Sequence, residues 1–233
     1  MTCICTVCVR GGSKGVKNKN IRELVGKPLL AYTLGQAKAC ELFDLIAVSS
    51  DSREILEVGR RWGADLLVVR PPELATDTAA KLPVIRHCVQ EAELVTGKQF
   101  DIVVDLDATS PLRLPEDIRG AVNLMEIEKA SNVITVAPAR RSPYFNLVEL
   151  DDDGVVRLSK PPVEPIVRRQ DSPQCFDMNA SIYVWKRSAL FDSPTLFNPD
   201  TRLFIMPPER SVDIDTEFDF EVVELLMRKR IAE

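Results

Sequence analysis

The chain has 233 residues, 45% of them hydrophobic and 28% charged, with a net charge of −5. That size and balance fit a globular chain built as one α/β domain. An acidic surface argues against a nucleic-acid or acidic-membrane partner, so any anion site must be a local concentration of cations.

The first apolar run, Cys3-Ile4-Cys5-Thr6-Val7, lacks the basic flank and cleavage site of a signal peptide. With no run long enough to span a membrane, it is expected to be a strand in a cytoplasmic protein. Its Cys5-x-x-Cys8 spacing is that of a metal or redox pair. In a strand, however, residues i and i+3 point to opposite faces, so the two thiols read as buried apolar groups.

Strands are expected at 3–9, 44–49, 65–69, 101–106 and 132–137, and helices at 28–40, 52–62, 79–96 and 115–129. Asp51-Ser52 and Pro115 supply helix-start chemistry. Strand–helix alternation with nearly continuous apolar strands predicts an α/β, Rossmann-like, mainly parallel sheet flanked by helices. Beyond residue 140 the pattern changes. Residues 144–158, centred on Asp152-Asp153-Gly154, predict a β-hairpin. Pro161, Pro162 and Pro165 follow, and no continuous helix or inner strand runs through them. Residues 140–175 therefore read as an arm leaving the domain, of the kind that meets another subunit. A strand at 181–186, a short strand near 202–206 and a helix over 216–231 complete the chain.

The loop after the first strand, Cys8-Val9-Arg10-Gly11-Gly12-Ser13-Lys14-Gly15-Val16-Lys17-Asn18-Lys19-Asn20, fits neither a P-loop nor a dinucleotide fingerprint. Gly11, Gly12 and Gly15 let backbone N–H groups curl around an anion, and Arg10, Lys14, Lys17 and Lys19 add charge for phosphate oxygens. The plain alternative is a solvated basic turn. In open parallel sheets ligands bind at the carboxyl ends of strands, and this loop occupies one.

At this point motifs accumulate in order: Arg10-Gly11-Gly12-Ser13-Lys14-Gly15, Lys19-Asn20-Ile21, Gly26-Lys27-Pro28-Leu29, Arg70-Pro71 through Asp77-Thr78, Thr109-Ser110-Pro111-Leu112-Arg113, Arg169-Gln170 through Asn179, and Asp213-Ile214-Asp215-Thr216-Glu217. Together the chain resembles the CMP-sialic acid synthetases, the cytidylyltransferases that activate nine-carbon sugar acids. The resemblance implies a nucleotidyltransferase-type fold and a homodimer joined by the arm. It also implies coupling of CTP to the anomeric hydroxyl of a nonulosonic acid with release of pyrophosphate.

On that resemblance, Arg10, Gly11, Gly12, Ser13, Lys14, Lys19 and Asn20 would cradle the triphosphate, with Arg10 and Lys14 counted as catalytic. Arg70 and Thr78 would contact cytosine. Asp107, Thr109, Ser110, Arg169, Gln170, Asn179 and Tyr183 would face the sugar acid. Asp213 and Asp215, two apart and on one face if the segment is extended, would be catalytic ligands of Mg²⁺. Two plainer roles compete: Asp215 as N-cap of the last helix, and Arg169 in a surface salt bridge.

One departure stands out. Where many sialate enzymes carry Leu-Gln-Pro before Thr-Ser-Pro-Leu-Arg, this chain has Asp105-Leu106-Asp107-Ala108, and an acid at 107 would either join the metal site or reject a particular hydroxyl pattern. The resemblance leans here to a legionaminate-type branch, whose extra acetamido and methyl groups Pro143, Tyr144 and Phe145 would accommodate. Competing readings are a nucleotidyltransferase for an eight-carbon keto acid and a non-catalytic nucleotide-binding domain. The second should have lost the Lys14 or Asp213/Asp215 charges, and it has not.

Overall fold

In a computed structural model, residues 1–12, 15–164 and 166–232 are described, the side chains of Arg169 and Ala232 excepted. The first strand, β1 (Cys3–Cys8), is apolar on both sides, as a strand covered on both faces requires. The tiny hairpin β2 (Glu23–Leu24) and β3 (Lys27–Pro28) leads into α1 (Leu29–Ala39). Three β–α steps follow: β4 (Leu45–Ser50) with α2 (Arg53–Arg61), β5 (Leu66–Val69) with α3 (Lys81–Thr96), and β6 (Ile102–Leu106) with α4 (Pro115–Ile127). Next come β7 (Asn132–Pro138), the hairpin β8 (Val148–Leu150) and β9 (Val156–Leu158), and the long β10 (Phe176–Lys186). The short α5 (Arg187–Asp192), β11 (Arg202–Ile205) and α6 (Glu217–Ala232) end the chain.

The main sheet has seven strands in the order β11-β7-β10-β6-β1-β4-β5. All neighbours pair parallel except β10, which runs antiparallel between β6 and β7. The mainly parallel, helix-flanked sheet expected from the sequence is what forms, with β10 as its one reversed strand. From β1 the chain winds outward through β4 to β5, then crosses back to β6 on the other side of β1. That reversal opens a crevice at the carboxyl ends of β1 and β6.

Alternate residues of the strands feed two cores. On one face Cys5, Val7, Val48 and Val104 pack with Leu30 and Leu34 of α1, Ile55 of α2 and Ile118 and Met125 of α4. On the other, Ile4, Ala47 and Val103 pack with Ile85, Cys88 and Val89 of α3 and Leu190 of α5. A third cluster lies beside the crevice and joins Val16 of the opening loop, Leu24, Leu29 and Leu112 to Ile214 and to Phe220, Val223 and Met227 of α6. Helix starts follow local chemistry: Ser52 accepts a hydrogen bond from Ile55 N, and Asp117 accepts one from Leu114 N beside Pro115.

Candidate active site

The opening loop turns over the end of β1, and Gly12 there takes φ +68°, a left-handed conformation that glycine adopts without strain. Gly11 N–H donates to Asp51 Oδ1 at 2.8 Å. Asn20 is buried, and its amide donates to Arg10 O at 3.1 Å, so this side chain ties the loop to itself. Arg10 forms an ion pair with Asp77. Lys17 is exposed, while Ser13 and Lys14 lie outside the described residues.

Against this loop stands the Asp213-Ile214-Asp215 segment. Ile214 is buried in the third apolar cluster and its N–H donates to Thr109 O at 3.0 Å. Lys19 Nζ donates to Ile214 O at 2.5 Å and reaches Asp215 Oδ1 at 3.3 Å. Gly15 is so close that an added Cβ would lie 2.0 Å from Asp215 O. Asp215 does not cap α6. Thr216 does, with Asp219 Oδ2 accepting from Thr216 N at 2.7 Å and Thr216 Oγ1 accepting from Asp219 N at 3.3 Å. Asp215 is therefore left exposed at the site. Burial, and then the charge of Asp215, hold the Asp213 carboxyl above its ordinary range.

A pocket of about 290 Å³ collects Cys8, Arg10, Gly15, Lys19, Asn20, Asp107, Thr109 and Asp215. Asp107 Oδ1 accepts from Thr109 N at 3.1 Å and from Thr109 Oγ1 at 2.9 Å. Ser110 is buried nearby, and its hydroxyl has no hydrogen-bond partner among the described residues.

Other expected site residues stand apart from this pocket. Arg70 is buried, its guanidinium donating to Ser49 O at 2.9 Å; Thr78 is exposed and in reach of Thr76. Gln170 lines a second pocket of about 530 Å³ with Arg141, Ser142, Gln174 and Cys175, between the end of β7 and the arm. The side chain of Arg169 lies outside the described residues. Asn179, expected against the sugar acid, is buried instead. Its oxygen accepts from Thr135 Oγ1 at 2.7 Å and its nitrogen donates to Ser211 Oγ at 3.0 Å. Tyr183, expected on the same side, is 4% exposed and stacks on Trp185 with centroids 5.5 Å apart. Both follow from β10: it carries a register shift between Met178 and Tyr183 and runs between two strands, so its inward side chains become core.

Sequence reasoning missed Lys81 altogether. Its ammonium bridges Asp105 at 3.3 Å and Asp107 at 3.2 Å. The available signal was Asp105-Leu106-Asp107 itself, since two carboxylates on one face of a strand end call for a cation.

A phosphate-type loop and a carboxylate pair meeting at the switch point of a mainly parallel sheet make a nucleotide-binding α/β fold. Residues 4–228 match the family model described as Cytidylyltransferase, and the chain belongs to that family. It is 44% identical over 224 residues to a CMP-N,N'-diacetyllegionaminic acid synthase of Campylobacter jejuni, a match covering 96% of this chain and 94% of that one. It is 32% identical to an N-acylneuraminate cytidylyltransferase of Escherichia coli, over 97% of this chain and 52% of the relative. Among solved structures, a CMP:2-keto-3-deoxy-manno-octonic acid synthetase complexed with CTP shares the fold. Its TM-score is 0.70 at 16% identity, and the match covers 99% of this chain and 100% of that one.

Proposed function

We propose that this chain transfers a cytidylyl group from CTP to the anomeric hydroxyl of a nonulosonic acid of the legionaminate type. The observation that carries the reading is the contact between the cationic opening loop and Asp213-Ile214-Asp215 at the sheet's switch point, made through Lys19. The substrate class follows the relatives: identity is 44% to the legionaminate synthase of C. jejuni and 32% to the N-acylneuraminate enzyme of E. coli.

In the reaction the hydroxyl oxygen bonds to the α-phosphorus of CTP, its proton leaves, and the bond to the pyrophosphate oxygen breaks. Such chemistry asks the protein for alignment and charge, not for a nucleophilic side chain. Arg10, Lys14 and Lys19 would bind the triphosphate, and the glycines would let its oxygens reach backbone N–H groups. Arg70 and Thr78 would bound the cytosine, with Gln170 and Arg169 toward the sugar acid.

Among the described residues no three acidic, histidine or cysteine side chains are grouped to hold a metal by themselves. A magnesium ion, which family membership implies, takes one or two carboxylates together with phosphate oxygens. Asp213 and Asp215 fit that demand, because the charge of Asp215 reaches Asp213 and, after burial, helps hold its carboxyl above the ordinary range. Bound there beside the triphosphate, the ion would neutralise charge on the departing pyrophosphate.

Among the described residues, no helix is long and apolar enough to cross a membrane. The hairpin at 144–158 and its flanks, within residues 140–175, would join two copies as a homodimer.

The test is pyrophosphate release from CTP and Mg²⁺ with N,N'-diacetyllegionaminate, N-acetylneuraminate or an eight-carbon keto acid. The expected order of kcat/KM is legionaminate above neuraminate above the eight-carbon acid. Silence with all three, from folded chain that binds CTP, would sink the reading.

A further inference from the structure

Lys81 begins α3, on the opposite face of the sheet from α1 and α4, and reaches over the end of β6. Its Nζ lies 3.3 Å from Asp105 Oδ2, 3.2 Å from Asp107 Oδ2, and 4.4 Å above the ring centroid of Tyr183. Tyr183 is in turn fixed by its stack on Trp185. The ammonium is thus held by β6 on one side and β10 on the other. Burial alone would favour a neutral amine; the charges of Asp107 and Asp105 overrule it and keep the lysine protonated above its usual range.

The two carboxylates that share this cation are not equivalent. Asp105 is buried, accepts from Thr6 Oγ1 at 2.8 Å, and its burial raises its carboxyl above the ordinary range. For Asp107 burial also works against the charge. There, Lys81 and the two donors of Thr109 prevail and bring it down to about 2. Lys81 therefore bridges two carboxylates whose environments shift them in opposite directions, and the one brought down, Asp107, is the one that lines the pocket.

The geometry leaves Asp107 with something to offer. Oδ1 accepts both Thr109 donors, whereas Oδ2 accepts from Lys81 and keeps a second lone pair. An anionic acceptor repels triphosphate oxygens, and the free lone pair on Oδ2 is suited to a hydroxyl or N–H donor. We propose that Lys81 is a positioning residue that holds the Asp107 carboxylate in place, so that Oδ2 accepts a hydrogen bond from a neutral donor of the bound substrate. This rests on the cytidylyl-transfer reading. Two sources carry such donors, the ribose of CTP and the hydroxyl and acetamido groups of the sugar acid.

A double-mutant cycle tests it, with Lys81→Met, Asp107→Asn and the double variant read in pyrophosphate release and checked by thermal melts. Each single variant should raise one of the two KM values roughly ten- to a hundredfold, the range for losing a hydrogen bond to a charged group. The double variant should lose no more than the worse single, and Lys81→Arg should recover most of the loss. A raised KM for the sugar acid assigns the donor to that substrate; a raised KM for CTP assigns it to the ribose. Should Lys81→Met fail to melt cooperatively, Lys81→Gln, which keeps a donor without the charge, carries the same comparison. Losses that add in the double variant, or unchanged KM values in a well-folded uncharged variant, overturn the role of Lys81 alone. A native chain silent with every acid overturns the reading beneath it.

Discussion

Gly15 shows how one missing side chain shapes this site. The backbone of the opening loop rests directly on that of the carboxylate segment, where a Cβ would stand 2.0 Å from Asp215 O, far inside contact distance. Lys19 binds the same segment four residues later, through Ile214 O. A methyl at position 15 therefore pushes the cationic loop and the Asp213/Asp215 pair apart, disturbing the third cluster at Val16 and Ile214 while the two cores of the main sheet stay as they are. Misplacement of reacting groups by about 1 Å can cost on the order of a hundredfold in rate. For Gly15→Ala we expect a loss of that order in kcat/KM for CTP, with melting temperature lowered by only a few degrees. Steady-state kinetics beside a thermal melt checks it; unchanged kinetics would show that the close approach is not needed.

The segment 207–216 between β11 and α6, a 3-10 turn at Pro208–Arg210 followed by irregular backbone, carries the carboxylates, and side chains supply most of its anchors. Arg210 donates to both oxygens of Asp117 on α4, at 3.0 and 2.8 Å, and Asp117 is 2% exposed. Asn179 of β10 donates to Ser211, and Ile214 N–H to Thr109 O. Arg210→Met leaves a buried carboxylate with the backbone N–H of Leu114 as its sole remaining donor among the described residues. We expect a loss of roughly 1–3 kcal/mol in denaturant unfolding, the cost of unpairing a buried hydrogen-bonding group, together with reduced turnover because the segment is loosened. Lost stability with full turnover would show that Arg210 does not hold the carboxylates. These anchors also mark where the sequence stops being legible. The strands and helices through residue 137 announce themselves by apolar periodicity, and Ser52 and Pro115 by cap chemistry. Nothing in a period-two pattern gives β10 its direction, so its insertion between β6 and β7 was hidden, and with it the burial of Asn179 and Tyr183. Lys81 was hidden for a similar reason: its partners lie 24 and 26 positions along the chain, and only the sheet order brings them together.

At the scale of the whole molecule, the hairpin β8–β9 is conspicuous because it packs on no core of its own. Its register pairs Val148 with Leu158, Leu150 with Val156, and Glu149 with Arg157. Directly opposed residues share a face, so one face is Val148, Leu150, Val156 and Leu158 and the other is charged. The apolar face lies open, with Val148 55%, Leu150 72% and Val156 62% exposed. A two-stranded hairpin is marginal in water unless something covers its apolar side. The homodimer proposed above would supply that cover from a second copy of the same arm. Because neither residue contributes to the three cores, Leu150→Asp with Val156→Asp should leave the monomer folded and halve the mass in solution. Light scattering on the eluting peak measures this directly. A native chain that elutes as a monomer at micromolar concentration, or a double variant that stays dimeric, removes the hairpin from the interface. The interface would then fall to other exposed apolar groups, such as Phe218 and Leu225 of α6.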